Sequence, residues 1–294
     1  TQKQTFFVMH LITAEDVKLR KRKPTSHKGQ NGRVLVVAGS IDYIGAAYLA
    51  GRAAFRSGAD AVVVAAPERV AWAINCLSPD FITKKFRGDF FTTAAIKEIT
   101  GMSKKFDVTL IGNGIGRNVR TLKFAAAICK RIKGLKVIDA EAISAVRLQD
   151  VQNAIFTPHA GEYGVLIRNS GIGNSGSGNE FEKARKIIGS NVVLLKGHID
   201  KRFGRVDAAI SRDKVVFNRT GNAGMTVGGT GDVLAGLCAG LLAQEMDLLK
   251  AAAAAAYVNG KAGDLLLRKY GWGFTASDLV EQLPAVLKQL WRMS

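Results

Sequence analysis

The chain has 294 residues, 31.5 kDa, and 47% of it is hydrophobic, which suits one large α/β domain or two small ones with a sizeable core. Lysine and arginine outnumber aspartate and glutamate 42 to 24, giving a formal charge of +18, and part of it is concentrated in the basic N-terminal segment 17–33, at Lys18, Arg20, Lys21, Arg22, Lys23, Lys28 and Arg33. No aromatics are interleaved there to stack on bases, no apolar run has the length of a membrane span, and Cys76, Cys129 and Cys238 lie too far apart for a CxxC site, which argues against a nucleic-acid reader, a membrane protein and a disulfide scaffold.

Taken in order, Thr13 to Leu19 reads as a short capped helix, followed by the basic run and a loop from Pro24 to Gly32. Arg33-Val-Leu-Val-Val-Ala-Gly-Ser40 is a continuous apolar run of the kind buried on both faces of a parallel sheet. A small-residue helix, Tyr43 to Gly58, and a second buried strand, Ala61 to Ala66, complete a βαβ unit. Further strands are expected at Val108–Gly112, Lys136–Ala140, Ala154–His159 and Val192–Gly197, each delivering a glycine or polar residue at its C-terminal end, where ligands collect in open α/β sheets. Ser170 to Gly178 is a flexible loop by composition, Arg205 to Val216 an antiparallel hairpin around Ser211–Lys214, and the C-terminal third is helical. The helix of residues 46–59 and the alanine run 251–256 suit close helix packing, in the core or at a subunit interface. The three cysteines read as buried thiols of a cytoplasmic protein, and no composition shift divides residues 1–294 into two domains.

The most informative stretch runs from Asn218 to Gly236. Gly221, Gly224, Gly228, Gly229 and Gly231 free backbone N–H groups to point at one spot, and the following helix adds the positive end of its dipole, so the stretch reads as an anion site. Asp232 stands at its mouth, either as a plain helix cap or as a general base beside a bound phosphoryl group.

This stretch, together with Thr157-Pro-His159-Ala-Gly-Glu162, the Lys196-Gly197 turn and the segment from His27-Lys-Gly29 to Gly45-Ala46, resembles the ADP/ATP-dependent NAD(P)H-hydrate dehydratase family over roughly residues 10–292. The resemblance implies a ribokinase-like three-layer α/β/α fold with a central, mostly parallel sheet. It implies a metabolite-repair lyase that uses ADP or ATP as co-substrate, with Mg²⁺, to dehydrate the S form of hydrated NADH or NADPH. The ring hydroxyl is phosphorylated and phosphate is then lost. By the same resemblance Asp232 is the catalytic base, and the phosphate lies on Gly229, Thr230, Gly231 and Asp232. The hydrated dinucleotide meets Ala46, Gly114, His159 and Asp232. The adenine nucleotide meets Lys196, Gly197, His198, Ile199, Asp200, Gly228, Gly229, Thr230 and Gly231. Glu162 and Asp139 would hold the metal, directly or through water, although Glu162 reads equally well as a cap of the following helix.

The partners implied are the hydrated dinucleotide, the adenine nucleotide, other copies of the chain in a homo-oligomer, by resemblance a tetramer, and a separate NAD(P)H-hydrate epimerase, since no fused epimerase domain is expected within these residues. Two departures from the family pattern, Ala160 in the Thr-Pro-His motif and Asn113 in the Gly-x-Gly turn, loosen turns without removing a chemical group. Two rival readings share the residues. One is a kinase of the same fold acting on a small alcohol or vitamin precursor, and the other a non-catalytic nucleotide or nucleic-acid binder that exploits the positive charge.

Overall fold

The computed structural model describes residues 8–172 and 180–293. Its elements are β1 (Val8–Leu11), β2 (Arg33–Val37), α1 (Ile44–Arg56), β3 (Ala61–Pro67), α2 (Glu68–Leu77), β4 (Ile82–Phe86), α3 (Ile96–Ser103), β5 (Val108–Ile111), α4 (Val119–Arg131), β6 (Leu135–Ile138) and α5 (Glu141–Ser144). There follow β7 (Ala154–Phe156), α6 (Ala160–Asn169), α7 (Glu180–Ile187), β8 (Val192–Asp200), β9 (Gly204–Ile210), β10 (Lys214–Asn218), α8 (Thr230–Leu242), α9 (Leu248–Tyr270) and α10 (Ala276–Met293).

The strands form one sheet in the order β1-β10-β9-β8-β7-β6-β5-β2-β3-β4. Only β9 runs antiparallel to its neighbours, β8 and β10. Strand side chains alternate between two cores, as the period of two dictates: Val34 and Val36 of β2 join one, Leu35 and Val37 the other. The first core is closed by α1, α2, α8, α9 and α10, the second by α3, α4, α5, α6 and α7. The arrangement is therefore three layers, helices over both faces of a mostly parallel sheet.

Small residues set the first layer. A Cβ at Gly236 of α8 would lie 2.0 Å from the Ala50 carbonyl oxygen of α1, so only glycine permits these two helices to approach this closely. The alanine run Ala251–Ala256 is buried throughout. Both small-residue segments thus serve the core of one chain.

Several expectations need correction. Thr13–Leu19 is not a helix: a single 3-10 turn spans Ala14–Asp16, and the chain beyond it is extended. Val17 and Leu19, two residues apart, are both buried, which an extended chain achieves and a helix does not. Cys76 is exposed, while Cys129 and Cys238 are buried as expected. Lys196–Asp200 is no turn but the end of β8, whose ladder with β9 is irregular between Leu195 and His198. The loop expected at residues 170–178 lies mostly outside the described residues.

Candidate active site

The C-terminal ends of β5, β6, β7 and β8 meet the first turn of α8. Beyond β5 the chain turns through Gly112-Asn113-Gly114, and Gly112 has φ +125°. A Cβ on Gly112 would lie 2.0 Å from the Asp139 carbonyl oxygen, so glycine here lets the ends of β5 and β6 crowd together and sets Asn113 beside Asp139. Beyond β6, Ala140 adopts φ 50°, ψ −130°, a conformation costly to any residue with a side chain, of the kind that collects at functional sites.

Asp139 is 3% exposed and accepts at both of its oxygens. Thr157 donates to its Oδ1 at 2.6 Å, Asn113 Nδ2 donates to its Oδ2 at 2.8 Å, and the Lys196 ammonium stands 3.5 Å from Oδ1. The same Asn113 nitrogen donates to Asp232 Oδ1 at 2.7 Å. Asn113, Asp139, Thr157, Lys196 and Asp232 thus form one connected polar cluster drawn from four strand ends and one helix.

The glycine loop is fastened from below. Asn218 Nδ2 donates to Asp207, Thr220 and Ala256, and Thr230 Oγ1 donates to the Met225 carbonyl at 2.7 Å. The helix begins at Thr230, two residues earlier than the apolar run suggests, with Gly229 as its N-cap at φ 94°. Asp232 is consequently the third helical residue and caps nothing; among the described residues no side chain caps the first turn of α8. Burial, and then the charge of Asp139, push the Asp232 carboxyl up to about 6, against the Asn113 hydrogen bond and the Lys196 charge. Burial works against the Lys196 ammonium, but Asp139, Glu162 and Asp232 outweigh it and raise its affinity for the proton.

A cavity of about 250 Å³ opens beside this cluster, bordered by Lys196, Gly197, Asp207, Asn222, Thr230 and Gly231. A methyl group on Gly231 would reach within 3.4 Å of Lys196 Nζ, so the ammonium lies directly over the loop. Asp207 accepts from Gly197 N at 2.9 Å, and burial raises its pKa. Asn259 also borders the cavity, and its buried Oδ1 has no partner among the described residues.

Gly114 and Ala46 are neighbours: a Cβ on Gly114 would lie 2.8 Å from that of Ala46. His159 is the N-cap of α6, its Nδ1 accepting from Gly161 and Glu162, while Glu162 Oε2 accepts from His159 N at 2.9 Å. The cap reading of Glu162 is therefore realised. His198, Ile199 and Asp200 do not border the cavity. His198 packs its ring on Phe181, Ile199 is 78% exposed, and Asp200 accepts from the amides of Arg202 and Phe203 to fasten the β8–β9 turn. Gly228 lies on the exposed side of the loop.

Among the described residues no group of three or more His, Cys, Asp or Glu converges on a metal position. Both Asp139 oxygens accept from the protein, Oδ1 from Thr157 and Lys196 and Oδ2 from Asn113, so a metal there would share these oxygens with protein donors or be met through water. Glu162 keeps Oε1, 3.6 Å from His159 Nε2, and fits a water-mediated contact to a hydrated Mg²⁺. Asn113, Thr157 and Asp207 are the members that motif reading missed. Thr157 opens the Thr-Pro-His motif and Asn113 sits in the Gly-x-Gly turn, whereas Asp207, inside β9, carries no such signal.

A family model described as NAD(P)H-hydrate dehydratase matches residues 34–285. An ADP-dependent (S)-NAD(P)H-hydrate dehydratase of Cenarchaeum symbiosum is 34% identical over 290 residues, covering 96% of this chain and 98% of that one. A bifunctional NAD(P)H-hydrate repair enzyme of Methanothermobacter thermautotrophicus is 37% identical over 277 residues, covering 92% of this chain and 52% of that one. The chain spans about half the length of such bifunctional relatives. Among solved structures, a Bacillus subtilis ADP/ATP-dependent NAD(P)H-hydrate dehydratase co-crystallised with ATP and Mg²⁺ superposes with a TM-score of 0.75 at 25% identity, covering 96% and 98% of the two chains. An Enterococcus faecalis ribokinase-like superfamily protein superposes at 0.80 with 23% identity and 96% of each chain covered. The three-layer architecture is thus the ribokinase-like one.

Proposed function

Because the chain belongs to the NAD(P)H-hydrate dehydratase family, we propose that it repairs the S form of hydrated NADH and NADPH by dehydration driven by ADP or ATP. The observation that carries this reading is Asp232: a carboxylate with a pKa near 6, held beside Asp139 and Lys196 in the uncapped first turn of a helix. A base near that value is ionised at neutral pH yet still accepts a proton readily.

The nucleotide lies in the cavity with its terminal phosphate on the Thr230 and Gly231 amides and near Lys196, while the hydrated ring enters from the side of Ala46, Gly114 and His159. Asp232 takes the proton of the ring hydroxyl as that oxygen bonds the terminal phosphorus and the bond from phosphorus to the nucleotide breaks. The amides and Lys196 meet the charge on the phosphoryl oxygens. The ring nitrogen then supplies the electron pair that expels phosphate from carbon, and the adjacent carbon loses a proton to restore the double bond. The balance is hydrate plus ATP to reduced dinucleotide, ADP and phosphate, or the same with ADP and AMP. Magnesium arriving with the nucleotide would neutralise phosphate charge, held through water by Glu162 Oε1.

The same reading includes a homo-oligomer, a tetramer by resemblance, a cytoplasmic setting, and an epimerase acting separately on the other hydrate epimer. The test is absorbance at 340 nm in hydrated NADH with Mg²⁺ and either ADP or ATP, beside Asp232→Ala. A rise that needs nucleotide and vanishes in the variant is expected. Nucleotide binding without any rise would replace this reading with the small-alcohol kinase.

A further inference from the structure

Asp139 and Asp232 come from opposite directions, one from the end of β6 and one from α8, and a single nitrogen joins them. Asn113 Nδ2 donates one hydrogen to Asp139 Oδ2 at 2.8 Å and the other to Asp232 Oδ1 at 2.7 Å. The amide cannot be turned the other way, since its oxygen would then face two carboxylate oxygens. We propose that Asn113 is a positioning residue: its side-chain amide clamps the two carboxylates so that the second oxygen of Asp232 is presented to the substrate hydroxyl. The proposal rests on the reading of Asp232 as the base.

Three observations support it. Asp232 Oδ2 has no hydrogen-bond partner among the described residues, whereas Oδ1 is fixed by Asn113, so one oxygen is held and one is open. Asn113 itself is completely buried, its carbonyl accepts from Gly39 N at 2.8 Å, and Gly112 and Gly114 flank it with left-handed backbone. A side chain anchored in this way transmits the position of β5 to the base. Finally, Asn113 Oδ1 is buried with no partner among the described residues, a desolvation cost that an apolar residue would not carry. Asparagine at this position therefore disfavours a purely packing role.

The chemistry also explains why the group is neutral. The charged groups facing Asp232 are Asp139 and Glu141, which repel its negative charge, and Lys196, which attracts it. A second cation bonded directly to Asp232 would hold the carboxylate ionised but weaken it as a base. An amide supplies two donors without charge, holds two like-charged groups side by side, and lowers the proton affinity of Asp232 less than a directly bonded cation would.

The experiment uses Asn113→Leu, which keeps the branched heavy-atom skeleton and loses both donors, and Asn113→Ser, a smaller side chain for the case where the bulkier leucine impairs folding. Dehydration of hydrated NADH is followed at 340 nm from pH 5.5 to 9, beside Asp232→Asn and the double variant. Each Asn113 variant should lower kcat at pH 7 at least tenfold with nucleotide KM within about twofold of wild type. The acid limb of the profile should move up by about one pH unit, so that activity partly recovers at pH 8.5. In the Asp232→Asn background the Asn113 change should cost nothing further. An equal loss at every pH, or a loss that adds fully to that of Asp232→Asn, would overturn the clamp and leave Asn113 as packing. A carboxyl ¹³C titration of labelled aspartate gives a readout independent of turnover. If the wild type fails to dehydrate the hydrate, the functional reading falls; if the Asp232 midpoint is the same with and without Asn113, the clamp falls.

Discussion

Replacing Asp232 with asparagine should make this protein more stable and far less active. The unfolded carboxyl takes up its proton near 3.8 and the folded one near 6, because burial and the charge of Asp139 disfavour the ionised form. Between those values the folded state holds a proton that the unfolded state has released, so this group's contribution falls as pH rises through the window and levels off above about 6. A difference of about two units corresponds to about 3 kcal/mol at neutral pH, and screening by water at the open oxygen reduces this to about 1–3 kcal/mol. Asparagine removes the ionisation and can still accept from Asn113. Asp232→Asn should therefore melt a few degrees above wild type at pH 7, and the gain should shrink to roughly half by pH 5. Its turnover should fall by about 10²–10⁴, the usual worth of a general base. Thermal melting of both proteins at pH 5, 6, 7 and 8, with the 340 nm assay on the same samples, measures both effects. A variant no more stable than wild type at pH 7, or a gain independent of pH, would refute the desolvated carboxylate; retained turnover would refute the base.

Gly236→Val should lose more than about 3 kcal/mol, because a side chain there starts 2.0 Å from the Ala50 carbonyl and forces α1 and α8 apart; melting and soluble yield report it. A thiol reagent should modify Cys76 rapidly in the folded protein. Cys129 and Cys238 should react only after denaturation, since both are buried and burial raises their pKa, to about 12 for Cys129.

The sheet was largely legible because its strands are buried on both faces. Arg33–Val37, Val108–Ile111 and Val192–Leu195 are apolar runs with a glycine or polar residue at the end, a pattern few other structures produce. Reading failed where short segments lack such a run. Ile82–Phe86 carries two lysines and lies at the sheet edge, where one side needs no partner, and Val8–Leu11 is a four-residue edge strand that pairs with β10. Thr13–Leu19 carries a helix-start signal that the burial of Val17 and Leu19 in an extended chain overrides.

For the site, sequence alone determined the residue types and their order: a glycine loop followed by an acid and an apolar helix, and polar residues after successive strands. That information is local, since it depends on backbone freedom at glycine and on side-chain period. Which of those residues share a site is a matter of distances between segments 18 to 119 residues apart in the chain, and only the packed sheet sets them. The tertiary structure shifted the start of α8 so that Asp232 became a half-buried, uncapping carboxylate, and it kept His198–Asp200 away from the cavity. It also brought Asn113, inconspicuous in a turn, between Asp139 and Asp232, because Gly112 allows β5 and β6 to end almost in contact.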